Sequence, residues 1–203
     1  MLKRELFVQE LYKLRDFPNE NSTCDKILAT FNIWAAKLDT SYLNTPTGIH
    51  GIGHANRVLF LSILLSELYN LSDKDKELIF TSAIFHDIGR INQDINAIHG
   101  ELSYRKMHQL ALLSPQSLGC EDDNVLKYIM ENHCKSDKKI YNQTGQYSIR
   151  DGNRAVFLLK LFKDCDGLDR VRLGDLDINY LRNEKSKKLV DIAYLLLLHT
   201  KSP

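Results

Sequence analysis

The 203-residue sequence has little proline, little cysteine and almost no excess charge. Only four prolines occur, at positions 18, 46, 115 and 203. All four fall in or beside predicted loops or at the terminus, which leaves long windows free to be helical. The four cysteines, at 24, 120, 134 and 165, form no CxxC pair. That spacing argues against a zinc ribbon and points to a reduced, cytoplasmic chain. Lys and Arg number 27 against 26 for Asp and Glu, a formal net charge of +1. A balance so close to neutral carries no specific nucleic-acid signal and none for an acidic membrane surface. The apolar run near the C-terminus, Ile192 to Leu198, is far shorter than the roughly 20 residues of a membrane span. Residues 1–6 turn polar at once and lack the apolar stretch of a signal peptide. Sustained two-residue alternation is also missing, which excludes a sheet as the main architecture.

What is present is ordinary globular material, 43% hydrophobic and 26% charged. The length predicts one domain with a core large enough to stand without disulfides. Helical spacing predicts helices over 2–15, 25–38, 54–70, 73–88, 100–113, 121–133, 152–167 and 184–200. Ser72 is the expected N-cap of the fourth, with Asp73 and Asp75 in its first turn. Segments 39–53, 90–99 and 135–146 are expected loops, the last of them long and exposed. The expectation is an all-α single-domain bundle, with residues 1–47 as a helical arm packed on a core domain of 48–203. The stripe Ile27, Leu28, Phe31, Trp34 and Leu38 fits core or a homodimer surface. The Lys185 to Lys188 cluster is expected to be a solvated helix face.

Seven histidines separate by context. His86 and Asp87 are adjacent and close an apolar helix that ends Ile84-Phe85. Polar groups so placed cost free energy unless they are paired or bind a metal. Near a helix end, neighbouring side chains splay and both reach one ion. His54 opens the preceding apolar helix, and Asp166 sits late in another, after Phe157, Leu158, Leu159, Leu161 and Phe162. A His, a His-Asp pair and an Asp from three core helices make a mixed nitrogen and oxygen site.

This ordered set resembles the HD-domain superfamily of metal-dependent phosphohydrolases. The resemblance rests on HxxRV at His54 to Val58, HDIGR at His86 to Arg90, HG at His99-Gly100 and DGLDRVRLGDL at Asp166 to Leu176. It covers about residues 48–182. It implies a helical bundle with a metal site among its helices and His54, His86, Asp87 and Asp166 as ligands of a first ion. The implied reaction is hydrolysis of a phosphate ester by metal-bound hydroxide, the substrate being a nucleotide or related small phosphorylated metabolite. Monoester and diester both remain open. Family members with two metals use further histidines between HD and the last Asp, and His99 and His133 stand in those intervals. Asp87 would then bridge the two ions. The cyclic-dinucleotide-cleaving subgroup is not matched, because GYP is missing and Cys134 stands where a second His would follow His133.

Other residues are assigned from their chemistry. Asp94 is a candidate general acid or water-orienting group, and His99 a candidate for orienting substrate. Arg57 and Arg90 are candidate phosphate binders, since a guanidinium fork matches phosphate oxygens. His50 is a candidate pocket residue. Arg170 is expected to pair with a nearby acid, and His108 and His199 are expected to be structural or surface residues. One or two divalent transition ions per chain (Fe, Mn, Co, Ni or Zn) suit these donors. Two further functions use the same ligands: a di-iron oxygenase acting on a small organic molecule, and a nucleotide-binding module without turnover.

Overall fold

The computed structural model describes residues 21–94, 96–113 and 118–200. Among these residues every regular element is helical. In chain order the α-helices are α1 (Asn21–Ala35), α2 (Ile52–Leu68), α3 (Asp73–Phe85), α4 (His99–Gln109), α5 (Cys120–Asn132), α6 (Asp137–Ile140), α7 (Gly152–Leu168), α8 (Glu184–Lys187) and α9 (Val190–Thr200). Short 3-10 turns cover Thr40–Tyr42, Thr144–Tyr147, Asp169–Leu173 and Ile178–Tyr180. The expected helix over 2–15 lies outside the described residues.

Helix α2 is apolar all round, and Val58 to Ser66 are all buried. A helix with no polar face must be surrounded. Here α1, α3, α7 and α9 surround it, while α5 packs on α3, α4 and α7. Helix α1 seats its aromatic residues on this core, Phe31 against Phe60 and Trp34 against Phe80, both edge to face with centroids 5.5 Å apart. Arg154 at the start of α7 links two more helices, through Asp75 of α3 at 2.7 Å and Asp122 of α5 at 2.8 Å.

The helix ends differ from expectation in ways that local chemistry explains. Ser72 caps α3 as expected, accepting the Asp75 N–H at 3.2 Å. That helix stops at Phe85, not at residue 88, and His86 becomes its C-cap. Helix α4 ends at Gln109 because Ala111 turns left-handed (φ 50°). The Ala111 N–H then bonds His108 O at 3.0 Å and the Leu112 N–H bonds Met107 O at 3.1 Å, a Schellman closure without glycine. His99, expected in a loop, is the first residue of α4. The segment 135–146 is not a bare loop. It carries α6, whose Ile140 is fully buried and accepts a bond from the Tyr128 hydroxyl at 3.0 Å. The expected helix over 184–200 is broken between α8 and α9, where Leu189 turns into the core.

Asp164, fully buried in α7, fastens the chain that follows. It accepts the backbone N–H groups of Arg182 at 2.9 Å and Asn183 at 2.8 Å, and the Asn183 side-chain amide at 2.8 Å. Removing the carboxylate leaves those part-buried donors without their acceptor. Asp164→Ala is expected to cost about 3 kcal/mol, a fall in Tm of roughly 6–12 °C for a chain of this size. The exposed Asp191→Ala serves as control in the same thermal melt and should shift it by a small fraction of that.

Candidate metal centre

Five helix ends converge on one place. His54 comes from the first turn of α2, and His86 and Asp87 from the turn closing α3. His99 comes from the start of α4, His133 from the C-cap of α5 and Asp166 from the last turn of α7. Two glycines permit the approach. A Cβ on Gly89 would lie 2.2 Å from Ser103 N, and one on Gly100 would lie 2.1 Å from Met130 O. The second of these close contacts seats the start of α4 against the end of α5 and brings His99 beside His133.

The ring nitrogens fall into an ordered pattern. His54 gives its Nδ1–H to Asp169 at 2.7 Å, His86 to Ala83 O at 3.0 Å and His133 to Met130 O at 2.7 Å, while His99 Nδ1 contacts Asn96 O. Carbonyl and carboxylate oxygens only accept, so each Nδ1 carries its proton outward and each Nε2 faces the centre. The Nε2 atoms meet in pairs, His54 with His86 at 3.0 Å and His99 with His133 at 2.9 Å. Asp87 lies between the pairs. Its Oδ2 is 3.5 Å from His54 and 3.4 Å from His86, and its Oδ1 is 3.3 Å from His99. Asp166 Oδ1 completes the first group, 3.4 Å from His54 Nε2. These atoms fit a cation in each half. In the His99–His133 pair two buried imidazole lone pairs face each other and repel, and a divalent ion between them removes the conflict.

The charge states agree with this. Burial opposes a charge on His54, but Asp166, Asp169 and Asp87 outweigh it and raise the imidazole to about 10. Burial pushes His133 down to about 3, with the charges of His99 and His86 adding to the effect. Burial lowers His99 as well. Burial alone would raise Asp87 and Asp166, yet the surrounding imidazoles hold both carboxyl groups below the usual carboxylate range. Without an ion, the first pair therefore shares a proton on His54, while the second pair is neutral.

The centre opens into a cavity of about 570 Å³. His50, Arg90, Asp94 and Arg170 all line it. His50 Nδ1 is 3.0 Å from Asp87 Oδ2. Arg90 donates to Asp87 Oδ1 at 2.6 Å and reaches His99 Nε2 at 3.3 Å. Asp94 is exposed, and its carboxylate accepts from the Asn92 amide at 2.9 Å. Arg170 is half exposed and paired with Asp175, as the sequence suggested. His108 is a surface residue paired with Asp123.

Arg57 is the exception among the expected site residues. It is 7% exposed, does not line the cavity, and donates to Asp169 Oδ1 from Nε at 2.6 Å and to Thr200 from Nη1 at 3.0 Å. Its place one turn after His54 puts it behind the imidazole, where it holds the carboxylate that orients His54. Asp169 itself is the functional residue that the sequence reading passed over. Its only signal was its place three residues after Asp166, on the same helical face.

A family model described as HD domain matches residues 51–171, more than half of the chain. The chain belongs to the HD-domain family, a superfamily of metal-dependent hydrolases consisting generally of phosphohydrolases. No curated protein and no solved structure matches it.

An ion binding at His54 must displace the extra proton that its carboxylate neighbours hold there. The apparent affinity for the first ion is therefore expected to rise about tenfold per pH unit between about pH 6 and 8. Calorimetry in two buffers of different ionisation enthalpy should report about one proton released. Uptake without proton release would contradict the charge state given to His54. Asp169→Asn and Arg57→Ala should both weaken that ion, by about 10- to 100-fold for Asp169→Asn, with no loss of helix content.

Proposed function

We propose that the chain hydrolyses a phosphate ester of a small metabolite, a nucleotide or a relative of one, at a two-ion centre. The observation that carries this is the convergence of four Nε2 atoms in two pairs across the two oxygens of Asp87. The first ion is assigned to His54, His86, Asp87 and Asp166, and the second to Asp87, His99 and His133. Divalent ions in such a site supply hydroxide at neutral pH and polarise a phosphoryl oxygen.

The chain's own groups do the rest. Asp169 fixes the ring of His54, and the carbonyls of Ala83 and Met130 fix His86 and His133. Arg90 and His50 hold Asp87 in place from its two sides, so both carboxylate oxygens stay directed at the centre. Asp166, with a side chain 32% exposed, lies between the buried ligands and the cavity. Arg170 is the phosphate-binding group in this reading. It stands at the mouth, tied to Asp175, and can exchange that carboxylate for a phosphate. Asp94 sits at the rim and orients water or the leaving group. These arginines favour an anionic substrate over the uncharged organic molecule that an oxygenase would take.

The test is phosphate release from nucleoside monophosphates and from diesters, with Mn²⁺, Co²⁺ or Fe²⁺ supplied. Monoesters are expected to be cleaved, and a chelator should stop the reaction. His86→Ala and Asp87→Asn should each lower kcat by about 10³-fold with the circular dichroism spectrum unchanged. Normal turnover by a metal-free variant, or oxygen consumption in place of phosphate release, would overturn the reading. Arg170→Ala should raise KM and leave ion content as it was.

A further inference from the structure

The half of the centre formed by His99 and His133 contains a third donor of different chemistry. Cys134 follows His133 directly, is partly buried and lines the cavity. Its Sγ and ligand nitrogens of His99 and His133 all lie within 4.8 Å of one another. The thiol is directed at Ala97 O, 3.2 Å away, a weak bond that is readily given up. Burial raises the Cys134 thiol above its usual range, and a backbone bond from Gly100, at the start of α4, offsets part of that.

The two imidazoles beside it turn their Nε2 atoms to one another, and Arg90 Nη2 also approaches that of His99 at 3.3 Å. His99 is 3% exposed and His133 5%. Both Nδ1 atoms are committed to backbone carbonyls, so neither ring donates to the other across the 2.9 Å that separates their Nε2 atoms. Two buried acceptors facing each other beside a sulfur form an incomplete coordination sphere. The His54 half has no sulfur: its donors are two imidazoles and two carboxylates.

We propose that Cys134 is a thiolate ligand of the second ion, in a set with His99, His133 and Asp87. This rests on the two-ion reading above. The ion displaces the thiol proton, and the Cys134 Sγ–metal bond replaces the contact with Ala97 O. The two halves of the centre then differ in preference. The oxygen-rich half accepts Mn²⁺ or Fe²⁺, and the half with the thiolate selects Zn²⁺ or Co²⁺.

The test is a titration of the metal-stripped full chain with Co²⁺, followed by absorption. The equivalent that fills the His99–His133 half is expected to bring a near-ultraviolet thiolate-to-cobalt charge-transfer band. Cys134→Ser should abolish the band and weaken the second ion at least about tenfold, while Cys120→Ser should keep both. His133→Ala should also lose the band. Two bound ions without the band, or a band that survives Cys134→Ser, would overturn the thiolate and leave the two-ion centre standing. A single bound ion without the band would overturn both.

Discussion

Everything in the centre depends on Asp87 having two oxygens and on each facing a different pair of imidazoles. One carboxylate at the turn after α3 is shared between His54 and His86 on one side and His99 on the other. Five side chains, His50, His54, His86, Arg90 and His99, crowd that group, and the positive charge among them helps keep it ionised. The demand for positive charge is therefore local and intense, although the chain as a whole is nearly neutral.

The bundle is arranged to meet that demand. Each candidate ligand stands at or near a helix end, where side chains are freed from the packed face. The helices bring those ends together through a continuous core around α2. Close backbone approach at Gly89 and Gly100 decides the last few ångströms. Behind the ligands lies a second layer of fixed acceptors. Asp169 with Arg57, Ala83 O and Met130 O set the tautomers, so the chain specifies the protonation pattern of the centre as well as its shape.

Much of this was legible in the sequence. The all-helical architecture followed from apolar spacing and from the scarcity of proline. The set of histidines and acids that converges on one place followed from their order and flanks in the chain. The exact helix ends did not, because a left-handed Ala111 closes α4 without the glycine that would have marked it. Arg57 and Asp169 show a different limit. Their contact spans 112 residues of sequence, and a helix-face argument placed Arg57 correctly beside His54 without revealing which way its guanidinium turns. The broken C-terminal helix has the same origin: the need to bury Leu189 is a property of the packed bundle, not of the local residues.

The most direct measurement is the metal content of the freshly purified chain, taken by elemental mass spectrometry without chelator exposure. The account predicts about two ions per chain, and about one when His133 is replaced by Ala. One ion in both proteins would contradict the shared role of Asp87 and reduce His99 and His133 to structural residues.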